Sequence, residues 1–165
     1  MSHARNLDLS PPDIFSNLVY DAVFTRGGVQ NQPLVEVFRS QCMVGYTMIV
    51  TGAKGLGDAW GFTVERNTRF ISHPGQARET LAALEAGTPL NGWTLRKVLE
   101  EEESFDAAMS RVAAAPFAST EYDIMSGAQA GVVLAKSLEG TAHTITLGGG
   151  ASDYVRCKAT SLASK

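Results

Sequence analysis

The sequence predicts a single α+β domain over residues 1–165, and three observations carry that prediction. Apolar residues alternate with period two early in the chain, recur with a period near 3.6 through the middle, and return to period two late. The order strands, helices, strands favours an α+β layer architecture over repeated βαβ units. Length and composition agree. A chain of 165 residues can bury one sizeable core, and 44% apolar with 19% charged residues is the balance of a globular protein rather than a disordered one. No internal repeat and no shift of composition marks a second domain.

Taken in order, Ser10-Pro11-Pro12 breaks any strand and makes a turn or short extended link. Residues 18–24 (LVYDAVF) are rich in β-formers and end at Arg26-Gly27-Gly28. Residues 34–39 (LVEVFR) alternate as a second strand, so the two form a hairpin across the Gly-containing loop. The more continuous apolar run 46–51 (YTMIVT) suits a strand buried on both faces. Gly52 to Gly57 then turns the chain into a fourth strand, 60–65 (WGFTVE).

In the middle, Pro74 suits a helix first turn, with Ala77, Leu81 and Leu84 as an apolar stripe and Gly87 as the stop. Residues 94–101 make a second helix with Leu95, Val98 and Leu99 on one side. The third has Ser104 as its cap and Phe105, Ala108, Met109, Val112 and Ala113 on one face, with Pro116 following its end. Strands return at 121–125 and 132–135. A further hairpin is expected from 143–147 and 154–158 across Gly148-Gly149-Gly150.

Charge and cysteine usage exclude several classes. Fourteen basic against seventeen acidic residues leave a net charge of −3, which offers no footprint for nucleic acid. No run approaches eighteen apolar residues, so no helix spans a membrane. The polar start from Ser2 to Asp8 does not read as a signal peptide, so the chain as written is expected in the cytosol. Two cysteines, Cys42 and Cys157, make neither a disulfide framework nor a zinc motif, and with His3, His73 and His143 scattered no metal site or cofactor is expected. Gly52-Ala53-Lys54-Gly55-Leu56-Gly57 lacks the Walker spacing and a following helix, so it reads as turn chemistry. Glu100 to Glu103 reads as a solvated junction favouring the next helix N-terminus. Cys42, between Gln41 and Met43, reads as a small packed thiol, since a nucleophile needs a base beside it. No GxSxG elbow is present.

The stretch that bears on function is His3-Ala4-Arg5-Asn6-Leu7-Asp8, which resembles the H-G-R-N-(M/L)-D motif of the acid ceramidase and N-acylethanolamine acid amidase family. The likeness runs on through Met43 to Gly52 (G-Y-x-G-x-L-T-G in the family) and Phe62-Thr63-Val64-Glu65-Arg66. It continues with the helix pair at Thr94 to Leu99 and Ser104 to Ala108, then with Tyr122 to Gly127 and Gly131 to Leu134. These segments cover nearly the whole chain in the family's order.

The resemblance implies an N-terminal-nucleophile amidohydrolase with an αββα sandwich, incomplete here at both ends. In that family autocleavage exposes a cysteine whose thiol attacks the amide of an N-acylated lipid, with its own α-amine as base. An α-amine titrates near neutrality, so one residue supplies both functions. By the same resemblance Arg5 orients the substrate and holds the cysteine region, Asp8 orients the α-amine, and Asn6 contacts substrate. Glu65 matches the family's cleavage-site Glu, although Asn67-Thr68-Arg69-Phe70 also lies on its N-E-R-F. The cysteine itself is expected upstream of Ser2. The family's T-N-Y-D segment, whose Asn helps form the oxyanion hole, corresponds to Tyr154-Val155-Arg156-Cys157-Lys158-Ala159-Thr160, which has no Asn. Losing one such donor costs about 10²–10³ in rate.

The expectation is therefore a segment of a ceramide- or N-acylethanolamine-hydrolysing amidase that is inactive by itself and needs no cofactor. Its partner is an N-acyl lipid reached by peripheral membrane contact, and its complete form belongs in an acidic, lysosome-like compartment. The rival expectations are a relative of the penicillin V acylases and bile-salt hydrolases, or a catalytically dead acyl-binding relic.

Overall fold

A computed structural model describes residues 12–28, 33–56, 58, 60–69 and 75–147. A short helix α1 (Pro12–Ser16) leads into four strands, β1 (Val19–Arg26), β2 (Val35–Met43), β3 (Tyr46–Lys54) and β4 (Phe62–Thr68). Helices α2 (Gln76–Glu85), α3 (Asn91–Glu101) and α4 (Phe105–Ala114) follow, then β5 (Glu121–Ser126), β6 (Gly131–Ser137) and β7 (Gly140–Leu147). The strands form one sheet in the order β1-β2-β3-β4-β5-β6-β7, with every neighbouring pair antiparallel. The α+β class read from the sequence is thus the observed one, with one sheet and one helical layer among the described residues.

The core lies between one face of the sheet and helices α3 and α4. Phe38, Phe62, Val64, Met125, Val132 and Leu134 from the strands meet Leu95, Val98, Leu99, Ala108 and Val112 from the helices. Each such aliphatic side chain contributes about 1.5–3 kcal/mol by leaving water. Two glycines let α3 sit down on β3. A Cβ at Gly52 would lie 2.4 Å from Leu99 Cδ1, and one at Gly92 would lie 2.8 Å from the Ile49 carbonyl oxygen. Ser104 caps α4 as expected, its Oγ accepting from the Ala107 amide at 3.3 Å.

Several expectations are corrected. The 46–51 strand is not covered on both faces, because Thr47 is exposed and helices pack on one side only. Gly52, Ala53 and Lys54 belong to β3 rather than to a turn, which begins at Gly55 (φ +60°). The stripe Ala77, Leu81 and Leu84 packs on nothing in the core, since α2 buries no residue. Its apolar spacing is helical, but the core face of the sheet is taken by α3 and α4. Among the described residues β7 pairs with β6 through the turn at Ser137 to Gly140; the hairpin expected between 143–147 and 154–158 falls partly outside the described residues. The acids Glu100 to Glu103 are exposed or half-buried as read, yet they are engaged. Arg96 pairs with Glu100, Arg111 with Glu101 and Glu102, and Lys54 with Glu103.

Candidate functional site

Strand β4 carries one carboxylate, Glu65, and its pairing fixes where that group stands. Phe62 and Val64 face the helices and enter the core, so Thr63, Glu65 and Asn67 face the other side. Glu65 is buried there and its Oε1 accepts from Asn67 Nδ2 at 2.9 Å. Thr68, the alternative position for a family glutamate, is exposed and on the helix-side face, opposite Glu121.

Residues opposed across antiparallel strands share a face. The row through Glu65 therefore runs Asp21, Gln41, Thr51, Glu65, Ile124, Val133, Ile145. Its four members on β1 to β4 are polar and its three on β5 to β7 are aliphatic, so Glu65 stands where this row changes character. A cleft of about 360 Å³ adjoins the polar half, lined by Asp21, Gln41, Thr51 and Thr63 among others. A larger one of about 960 Å³ opens at the β1–β2 and β3–β4 turns, beside Leu56 and Trp60. Arg39 and Leu56 line both. Two cations of the larger cleft are paired with carboxylates, Arg39 with Glu36 at 2.7 Å and Lys54 with Glu103 at 3.0 Å, while Arg26 donates to the Glu100 carbonyl at 3.4 Å.

Arg5, Asn6 and Asp8 lie outside the described residues, as does Cys157. Cys42 lies within β2 and is half-buried, beside a small cavity shared with Val19, Met43, Met48 and Val50. The thiol is thus less covered than the packed residue expected.

A second polar group, which no motif announced, is buried on the helix side of the sheet. Arg66 Nη1 and Glu121 Oε1 pair at 2.7 Å, Ser119 Oγ donates to the same oxygen at 2.8 Å, and Arg66 also donates to Tyr46 Oη. Burial pushes the Glu121 carboxyl up, against the pull of Arg66 and Ser119. Asp123, fully buried, accepts from Asn91 Nδ2 at 2.7 Å. Burial raises its pKa to about 7, against that hydrogen bond. Lys136 Nζ donates to the carbonyls of Val112 (3.0 Å) and Ala113 (2.8 Å) and lies 4.8 Å from the Phe117 ring centre. Burial lowers its pKa. The available signal was the alternation of Glu121, Asp123 and Met125 along β5, with Arg66 in register across the sheet.

These features define the class as α+β: a helical layer backing an antiparallel sheet, with a carboxylate on the sheet's uncovered side. Among solved structures, the chain is similar to a Caenorhabditis elegans N-acylethanolamine-hydrolyzing acid amidase ortholog. The TM-score is 0.69 at 20% identity, covering 87% of this chain and 58% of that one. No family model matches the chain. Curated relatives are the N-acylethanolamine-hydrolyzing acid amidases of Rattus norvegicus, 30% identical over 142 residues, and of Oryctolagus cuniculus, 32% identical over 143. Each alignment takes in 85% of this chain and 36% of the relative, so the chain spans about a third of the length of the curated relatives it matches. Over those residues it is similar to N-acylethanolamine-hydrolyzing acid amidases, in line with the resemblance of its motifs.

Proposed function

We propose that the chain is part of an amidase that hydrolyses the amide bond of N-acylated lipids. The observation that carries this reading is the similarity over 142 residues to a protein named for hydrolysing N-acylethanolamines. The geometry supports it. The cross-strand row through Glu65 is polar on β1 to β4 and aliphatic on β5 to β7, which suits an amphiphile with a polar head and an acyl chain. In this reading a cysteine on the amino-terminal side of His3 supplies thiol and α-amine, Asp8 orients the amine, and Arg5 and Asn6 hold the substrate. Glu65, oriented by Asn67, acts at the cleavage site. The thiol attacks the amide carbonyl, the amine product leaves with the proton that the α-amine took from the thiol, and water resolves the thioester. No cofactor enters. The lipid is reached by peripheral membrane contact, in an acidic, lysosome-like compartment.

The test uses the full-length native protein: its amino-terminal sequence, and its turnover of an N-acylethanolamine, a ceramide and penicillin V. A chain beginning at cysteine that cleaves N-acyl lipids is the expected result. Preference for penicillin V moves the protein to the acylase branch. Failure to cleave any of the three, with no amino-terminal cysteine, overturns the proposal and leaves an acyl-binding relic.

A further inference from the structure

Asn91 opens α3 and Asp123 lies mid-way along β5, so their contact ties the start of the helix to the sheet. Both residues are fully buried. Asn91 Nδ2 donates to Asp123 Oδ1, and the other oxygen of each side chain, Asn91 Oδ1 and Asp123 Oδ2, is buried without a hydrogen-bond partner. Two unpartnered acceptors in one buried pair are costly, because each has given up its water without gaining a donor. One proton removes both defects. A carboxylic acid and a primary amide close a ring of two hydrogen bonds, the acid carbonyl accepting from N–H and the acid O–H donating to the amide oxygen.

We propose that Asn91 and Asp123 form a proton-closed latch between α3 and β5, shut when Asp123 Oδ2–H donates to Asn91 Oδ1 and opened when that proton passes to solvent. Opening leaves the amide oxygen facing a carboxylate oxygen and loosens the amino-terminal end of α3, where Gly92 rests against the backbone of Ile49. The charged groups bearing on Asp123 are Arg66, opposite it on β4, Glu121, two residues back on β5, and Lys136 on β6; α3 presents only the neutral Asn91. Glu121 favours the protonated acid and the two cations oppose it, while burial outweighs them.

The sign follows from linkage. A carboxyl whose folded pKa is raised to about 7, from 3.8, binds its proton more tightly in the folded state. Its contribution is complete in acid and is lost as pH rises from about 4 to about 7. The latch is therefore a device that tightens in acid, independent of the proposed hydrolysis.

The experiment compares urea unfolding of the full-length protein with that of Asp123→Asn between pH 5 and pH 8. The variant amide donates to Asn91 Oδ1 with no titrating proton. Relative to the variant, the wild-type folding constant is expected to fall by up to about tenfold per pH unit between pH 5 and 7. Parallel pH dependence of the two proteins overturns the proposal. Carbon-13 NMR of the wild type gives a second readout should the variant not fold. Asp123 Cγ and the Asn91 side-chain amide are expected to titrate together near pH 7. An Asp123 midpoint below pH 5, or an Asn91 amide that does not move with it, overturns the latch.

Discussion

Glu65 Oε1 accepts a 2.9 Å hydrogen bond from Asn67 Nδ2, two residues further along the same strand, so both side chains stand on the face of the sheet away from the helices. An amide fixed to a strand orients the carboxylate without neutralising it. Under the proposed function, Glu65→Gln in the full-length protein lowers turnover of an N-acyl lipid by about 10²-fold, the lower range for a lost acid–base group. Asn67→Ala leaves the carboxylate in place but loosens it, with a loss of up to about tenfold, one charged hydrogen bond. Steady-state kinetics with circular dichroism as a folding control measures both. Unchanged turnover in Glu65→Gln would remove that residue from the site.

Arg66 and Glu121 form a pair of which one side chain is 15% and the other 2% exposed. Breaking such a pair strands a charge, whereas replacing both partners relieves the desolvation of each. Arg66→Met is expected to destabilise by about 3–5 kcal/mol, and Arg66→Met with Glu121→Met to recover most of the loss. Urea unfolding of the two single variants and the double completes the cycle. Additive losses would show that the two charges do not act on one another.

Gly92 faces the Met48 Cβ and the Ile49 backbone, atoms fixed by β3 rather than the movable tip of a side chain. Gly92→Ala pushes the start of α3 off β3 and costs about 1–3 kcal/mol despite the better helix propensity of alanine. Thermal unfolding reads the loss, and an unchanged midpoint would mean the helix moves away freely.

At the start of α4, Ser104→Ala removes the acceptor for the Ala107 amide and is expected to cost about 1 kcal/mol, while Ser104→Asp retains a cap. Equilibrium unfolding of the two variants compares them directly. Equal loss in both would assign the effect to something other than the cap.

Where periodicity reflects burial against a single layer, the sequence was readable. Leu95, Val98 and Leu99, and Ala108 and Val112, repeat at helical spacing and do enter the core. Leu81 and Leu84 repeat in the same way and remain exposed, because periodicity reports an amphipathic helix and not whether a sheet face is free to receive it. Glu65 was legible only through the family pattern, since a lone glutamate in an apolar strand has several explanations. The alternation along β5 hinted at Asp123, but the contact between Asn91 and Asp123 was not legible. They are 32 residues apart and meet only because β5 returns beside β4 beneath α3.

The strand order also bears on how the chain reaches its fold. Five of the six strand pairings join neighbours in the chain through short connections, while β4 and β5 are separated by all of α2, α3 and α4. The two meanders, β1–β4 and β5–β7, can each zip locally, and the slow step is closing the seam between Thr68 and Glu121, which carries the largest loop entropy. Seating α3 on β3 shortens that search by holding the start of the returning chain against the first meander. In stopped-flow refolding, Leu99→Ala is therefore expected to slow folding, and Ile145→Ala on the last strand chiefly to speed unfolding. The helix that completes the core then also serves as the splint on which the sheet is joined.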